Sequence, residues 1–190
     1  MEAFAYRDGA YASSMSTGEA MLLRQLASEV LVVLDDPGDF ATTSSMVSAA
    51  TETEQRREAP RERSLSMLLP SMSDDDEDAA RMRALTEDLL RTEKSARLRT
   101  VVSDLEHITH GDGDTLVIPR EGVWEWLGAL NDIRLGLAGE LELSDENDAR
   151  RIEDMALSEP TGERAQTVAA IYVLITWWQD SLLDAVNKSQ

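Results

Sequence analysis

The 190-residue chain carries 37 acidic against 18 basic residues, a net charge of −19 at pH 7, with 42% hydrophobic residues and no cysteine. Length and apolar share fit one compact domain with a real core. The charge repels nucleic acid and anionic membrane wherever no basic patch offsets it, and the missing cysteine excludes disulfides, thiolate nucleophiles and thiol redox switches. No apolar run reaches the ~18–20 residues of a membrane span, and the N-terminus lacks a basic region leading into an apolar one, so a cytoplasmic protein is expected.

Phe4–Ser13 reads as a hairpin turning at Asp8-Gly9. Ser16 and Glu19 form a capping box for a helix carrying Leu22, Leu23, Leu26, Val30, Val33 and Leu34, stopped by Asp35-Asp36-Pro37-Gly38. Residues 36–63 have little pattern and read as a flexible linker. Arg56, Arg57, Arg61 and Arg63 make its end the most basic local segment, either a solvated mixed-charge loop or an arm that contacts phosphate or an acidic partner. Leu65–Leu69 is a short apolar segment ending at Pro70, and Ser73 is placed to cap the next helix. Met82, Leu85 and Leu89 give that helix its apolar stripe. After a break near Thr92, Leu98, Val101, Val102, Leu105 and Ile108 form another stripe, on a segment that also carries Lys94, Arg97 and Arg99.

His110 to Asp114 is a turn, with Gly111 ending the helix, and Thr115–Ile118 is a strand suited to the first hairpin. Pro119 suits the first turn of the helix Glu121–Leu141, where Val123, Trp126, Leu127, Leu130, Ile133, Leu137 and Leu141 share one broad face that includes Arg134. Gly128, Gly136 and Gly139 lie off that face; each weakens a helix interior by roughly 1 kcal/mol against alanine, so close packing is expected there. Ser144 with Asp145 starts a short polar helix to about Leu157, and Val168–Trp178 is an apolar stretch too short to span a bilayer. It is expected to be a buried partner of Glu121–Leu141. The fold class is mainly α, a helical bundle with a small β element, in a single domain over residues 1–190.

His107-x-x-His110 with Asp112 and Asp114 is the one group of metal-ligand types, but a plain helix end with exposed histidines accounts for it better. No nucleophile motif or phosphate-binding glycine loop is present, so neither an enzyme nor a cofactor is expected. Arg134, on an apolar face, is expected to pair with an acid from a neighbouring helix, since a lone buried charge is costly; the alternative is a grip on a partner's carboxylate. Trp177-Trp178 reads as core or interface, because its flanking residues are not basic.

Three stretches, LTEDLLRTEK (Leu85–Lys94), WEWLGALNDIRLGLAGEL (Trp124–Leu141) and WWQDSLLDAV (Trp177–Val186), together with EAMLLRQLASEVLVVL (Glu19–Leu34), resemble the AosR-like family of actinomycete oxidative-stress regulators. The similarity covers both ends of the chain and skips most of Asp35–Ser64. It implies a helical cytoplasmic regulator of stress-gene transcription, with Asn131, Asp132, Arg134, Trp178 and Gln179 as family positions of structural or partner role. Some members sense through a cysteine pair and act through a sigma factor. This chain has no cysteine, so redox input would come through a partner, a ligand or methionine oxidation. Three readings follow. One is a regulator working by protein contact, on a sigma factor or another transcription component, with a homodimer as a further assembly. The second binds promoter DNA directly, through Arg56, Arg57, Arg61 and Arg63 or the Lys94, Arg97 and Arg99 face. The third is a small-ligand-binding bundle with a pocket near Arg134.

Overall fold

The computed structural model describes residues 1–35 and 56–189. Asp8 and Gly9 take φ of 50° and 85°, the left-handed pair of a two-residue hairpin turn whose twist matches its strands. They join β1 (Ala5–Arg7) to β2 (Ala10–Ser14), and β3 (Thr115–Pro119) adds to β2 antiparallel with Tyr11 opposite Ile118. Alternation along the strands buries Tyr11, Ser13, Leu116 and Ile118 and leaves Val117 and Pro119 outside. The buried face rests on tryptophans. Trp178 stacks at 4.7 Å from Phe4 and meets Trp126 edge-on at 6.2 Å, and its indole N–H donates to Ser13 Oγ at 3.2 Å.

Seven α-helices accompany this sheet among the described residues. The predicted mainly helical class with a small β element is the one observed. α1 (Thr17–Leu34) starts at the Ser16–Glu19 capping box, both hydrogen bonds being present. α2 (Arg63–Leu68) and α3 (Asp76–Asp104) follow, then the single turn α4 (Glu106–Thr109). A 3-10 turn at Arg120–Gly122 leads from β3 into α5 (Val123–Glu140), and α6 (Glu146–Leu157) and α7 (Arg164–Lys188) complete the chain.

α5 is the centre, packing against α2, α7, α3 and α1. Ten of its eighteen residues are buried. Its glycines are the points where other helices come closest. A Cβ on Gly139 would lie 2.5 Å from Ser64 Cα and 2.7 Å from Ser64 N, one on Gly136 would lie 3.2 Å from Val30 Cγ2, and one on Gly128 would lie 3.2 Å from Arg97 Cδ. So α2, α1 and α3 each meet α5 at a residue with no side chain.

Several expectations change. α3 runs unbroken through Thr92, whose hydroxyl donates to Asp88 O one turn back at 2.8 Å and so needs no partner outside the helix. Its N-cap is Asp75, not Ser73, because Asp75 Oδ1 takes the N–H groups of Glu77 and Asp78 while Ser73 Oγ takes only that of Asp75. α7, expected as a buried partner of α5, does pack on it but is buried along one face only: seven of its 25 residues are buried, against six of 18 in α1, since α7 covers α5 and α6 with that face and leaves Trp177 outside. Of the linker 36–63, residues 36–55 lie outside the described residues. The rest is anchored: Arg57 N–H donates to Ala80 O at 3.1 Å, its guanidinium pairs with acids of α3, and Arg63 already belongs to α2.

The glycine contacts separate two substitutions. Each Gly→Ala gains about 1 kcal/mol of helix propensity. At Gly139 the new methyl meets the Ser64 backbone, and overpacking of that kind costs about 1–3 kcal/mol. At Gly128 it meets the Arg97 side chain, which can shift, though at the expense of its pairing with Asp132. Gly139→Ala is expected to lower the thermal midpoint and Gly128→Ala to lower it less; equal midpoints would contradict this packing.

Candidate functional site

α3 does not bury the stripe that hydropathy assigns to it. Leu85 is 78% exposed and Leu89 64%, with Met82 beside them also on the surface. The inward face carries Arg83, Glu87, Arg91, Lys94 and Ser95 before Leu98 and Val101. Spacing explains which charges go together, since residues four apart share a helix face. Glu87, 3% exposed, takes Arg91 Nη2 at 2.9 Å, Arg57 Nη2 at 3.2 Å and Arg83 Nη1 at 3.5 Å. The arginines have second tasks. Arg91 Nη1 donates to Leu34 O at 2.8 Å and Arg83 Nη1 to Leu69 O at 3.0 Å. These are carbonyls at the ends of α1 and α2, which have no intrahelical partner and attract cations. Asp35, the C-cap of α1, receives Ser95 Oγ at 2.8 Å and Arg99 Nη2 at 2.5 Å. None of Arg83, Glu87 and Arg91 stands among the residues singled out from sequence; the signal for them is the 83–87–91 spacing of opposite charges on one face.

A second cluster is centred on Asp132 of α5, 1% exposed. Lys94 Nζ pairs with Asp132 Oδ1, and Arg97 Nε lies 3.2 Å from Oδ2. Arg134 differs from expectation. It is only half-buried, and its guanidinium donates to Asn131 Oδ1 at 3.0 Å on its own helix. The ion pair to a neighbouring helix belongs to Asp132, two residues earlier, because that position faces α3 while the Arg134 guanidinium turns back to Asn131. Trp178 is core, and Gln179 Nε2 donates to Leu127 O at 3.4 Å, tying α7 to α5.

Most of the basic residues invoked for DNA are paired with acids. Lys94 and Arg97 turn into the protein toward Asp132, and Arg99 turns to Asp35. Arg56 pairs with Glu77 at 2.8 Å, Arg57 with Glu87 and Asp88, and Arg63 with Glu142 at 3.4 Å; Arg61 is exposed beside them. The four metal candidates do not gather either. His107 Nε2 lies 3.2 Å from Thr115 O and His110 Nδ1 2.6 Å from Glu106 O, and no group of three potential ligands occurs among the described residues.

Among the described residues, two of the open clefts are large enough to consider for a ligand. One, of about 150 Å³ between α1, α2 and α5, has a floor of Leu26, Val30, Ile133 and Leu137 and a rim of Glu29, Glu62 and Glu140. Glu140 holds Arg164 at 2.7 Å, which with Glu29 nearby raises the pKa of that guanidinium. The other, of about 400 Å³, runs between Phe4–Tyr6 and the end of α7 at Ser181, Asp184 and Lys188. Neither of these two clefts is lined by Arg134.

The two polar positions of α5 should respond oppositely to the sequence-based expectation. Asp132→Ala strands Lys94 and Arg97 and should cost about 3–5 kcal/mol, as breaking a buried pair does. Arg134→Ala removes one half-exposed hydrogen bond and should cost about 1 kcal/mol or less. Denaturant titration of the two variants checks the order; Arg134→Ala as the more damaging change would refute it.

No curated protein and no solved structure shows significant similarity to the chain. A family model described as a domain of unknown function, DUF2017, matches residues 1–186. With nearly the whole length matched, the chain belongs to the DUF2017 family.

Proposed function

We propose that the protein is a non-enzymatic regulator that works by contact with other proteins, and that its target is a component of the transcription apparatus, a sigma factor or a protein of similar role. The observation that carries the contact reading is the outward stripe of α3. A helix that spends its inner face on Arg83, Glu87 and Arg91 and shows Met82, Leu85 and Leu89 to solvent is built to be covered by something else, since contiguous exposed apolar patches mark interaction sites. The transcriptional target rests on the resemblance to AosR-like regulators, and so does the link to oxidative stress. Without cysteine, a redox signal would enter through the partner or through methionine; Met72 and Met82 are both exposed on this surface. Direct promoter binding is disfavoured because Arg56, Arg57, Arg63, Lys94, Arg97 and Arg99 are each turned to a carboxylate, leaving little to offset a charge of −19.

Transcription in vitro with the host polymerase holoenzyme tests this reading. Wild type should change transcript yield from stress promoters, while the double variant Leu85→Glu/Leu89→Glu should melt like wild type and have no effect. An electrophoretic shift of promoter DNA by the protein alone, unchanged in that variant, would move the assignment to direct DNA binding.

A further inference from the structure

We infer that the α3 stripe is a helix-docking seam whose occupant is a basic amphipathic helix of a partner protein. This deepens the protein-contact reading and rests on it. The stripe has a specific spacing. Met82, Leu85, Leu89, Thr92 and Ala96 follow one another at intervals of 3, 4, 3 and 4, the alternation that puts apolar residues along the seam between two paired helices. All five are exposed or partly exposed, and the residues opposite the seam, Glu87 and Lys94, are buried in the protein's own clusters. The two faces of α3 are therefore both committed, the charged one inward and the apolar one to a second helix. Met72, 51% exposed, lies beside the seam, its sulfur 3.7 Å from Thr86 Oγ1.

Charge chooses the occupant. Asp74, Asp75, Asp76, Glu77 and Asp78 stand exposed at the N-terminal end of the seam, and Asp88 and Glu93 flank it further on. The cations on the same surface are Arg56 and Arg81, both turned to Glu77 at 2.8 and 3.0 Å, Arg57, turned to Asp88 at 2.5 Å, and Arg99, turned to Asp35 at 2.5 Å; the seven carboxylates just named outnumber them. A helix laid on Leu85 and Leu89 would meet this acidic excess at the N-terminal end of the seam and at Glu93, which suits Lys or Arg flanking its own apolar positions. A second copy of this chain brings the same acidic margins and is repelled by them.

The test uses the full-length protein and two synthetic helical peptides of two to three heptads, with identical apolar seams and either lysine or glutamate at the flanking positions. Fluorescence anisotropy should show the lysine peptide binding and the glutamate peptide not, with affinity falling about tenfold or more as salt rises from ~0.05 to ~0.5 M. Leu89→Glu should abolish binding. Glu93→Lys should weaken the lysine peptide and strengthen the glutamate one, which a merely structural role of Glu93 would not do. Both sites are on the surface, and circular dichroism melts confirm the fold. Equal binding of both peptides, or binding that survives Leu89→Glu, would overturn the proposal. So would sedimentation showing twice the 21.0 kDa chain mass through this face, with neither peptide bound; the occupant would then be a second copy. Failure of the peptides leaves the transcription assay free to succeed or fail on its own, so the two readings are separately testable.

Discussion

The carboxylate of Glu87 gathers Arg57, Arg83 and Arg91 in a space almost closed to water. A buried carboxylate without partners would be severely destabilising, and a buried pair contributes little net stability even when well made. What this cluster supplies is orientation. Arg91 reaches the end of α1 and Arg83 the end of α2, so α3 can satisfy those carbonyls only in one rotation about its axis. That rotation places Met82, Leu85 and Leu89 in solvent. The apolar surface of α3 is a geometric consequence of where its arginines are needed.

The centre of the bundle obeys a related constraint. Gly128 and Asp132 lie one turn apart on α5, and the absent side chain at Gly128 leaves room for Arg97 to lie along the helix and bring Nε to the Asp132 carboxylate. The glycine and the ion cluster are one device. Gly139 does the same for backbone, letting α2 approach at Ser64, whose hydroxyl donates to Gly136 O at 3.2 Å. Close approach at these points excludes water, and exclusion of water makes the Lys94–Asp132–Arg97 pairing strong enough to persist. On the far side of α5 the contacts are apolar, with Trp126 and Trp178 joining helix to sheet and each indole N–H satisfied, Trp126 by Asp104 Oδ2 at 2.8 Å.

Charge is sorted by these contacts. The chain is poor in cations, and Arg83, Arg91 and Lys94 are used inside, while carboxylates such as Asp74–Asp78, Glu29, Glu62 and Glu93 remain on the surface. The surface keeps the acidic balance of the composition, since the buried cations Arg83, Arg91 and Lys94 are matched by Glu87 and Asp132. Such a surface speeds encounter with cationic partners and discourages nucleic acid. An apolar stripe within an acidic field is selective, since burial supplies the attraction and the margins reject partners of like charge.

Local patterns fixed a good part of this molecule in advance. Asp8-Gly9 specifies a hairpin turn because only residues tolerant of positive φ close it, Ser16 and Glu19 specify a helix start because they satisfy orphan donors, and the α5 glycines announce close packing because nothing else repays their helix cost. The path of α3 and its inner face were decided elsewhere. Hydropathy places Leu85 and Leu89 inside and Arg83, Glu87 and Arg91 outside, which holds while charges face water. Here the partners of those charges are Arg57, Leu34 O and Leu69 O, held beside them only once α1, α2 and the segment before α2 have packed. Arg91 and Leu34 are 57 residues apart, beyond the reach of any local window, and so the rotation of α3, and with it the surface offered to a partner, belongs to the tertiary structure.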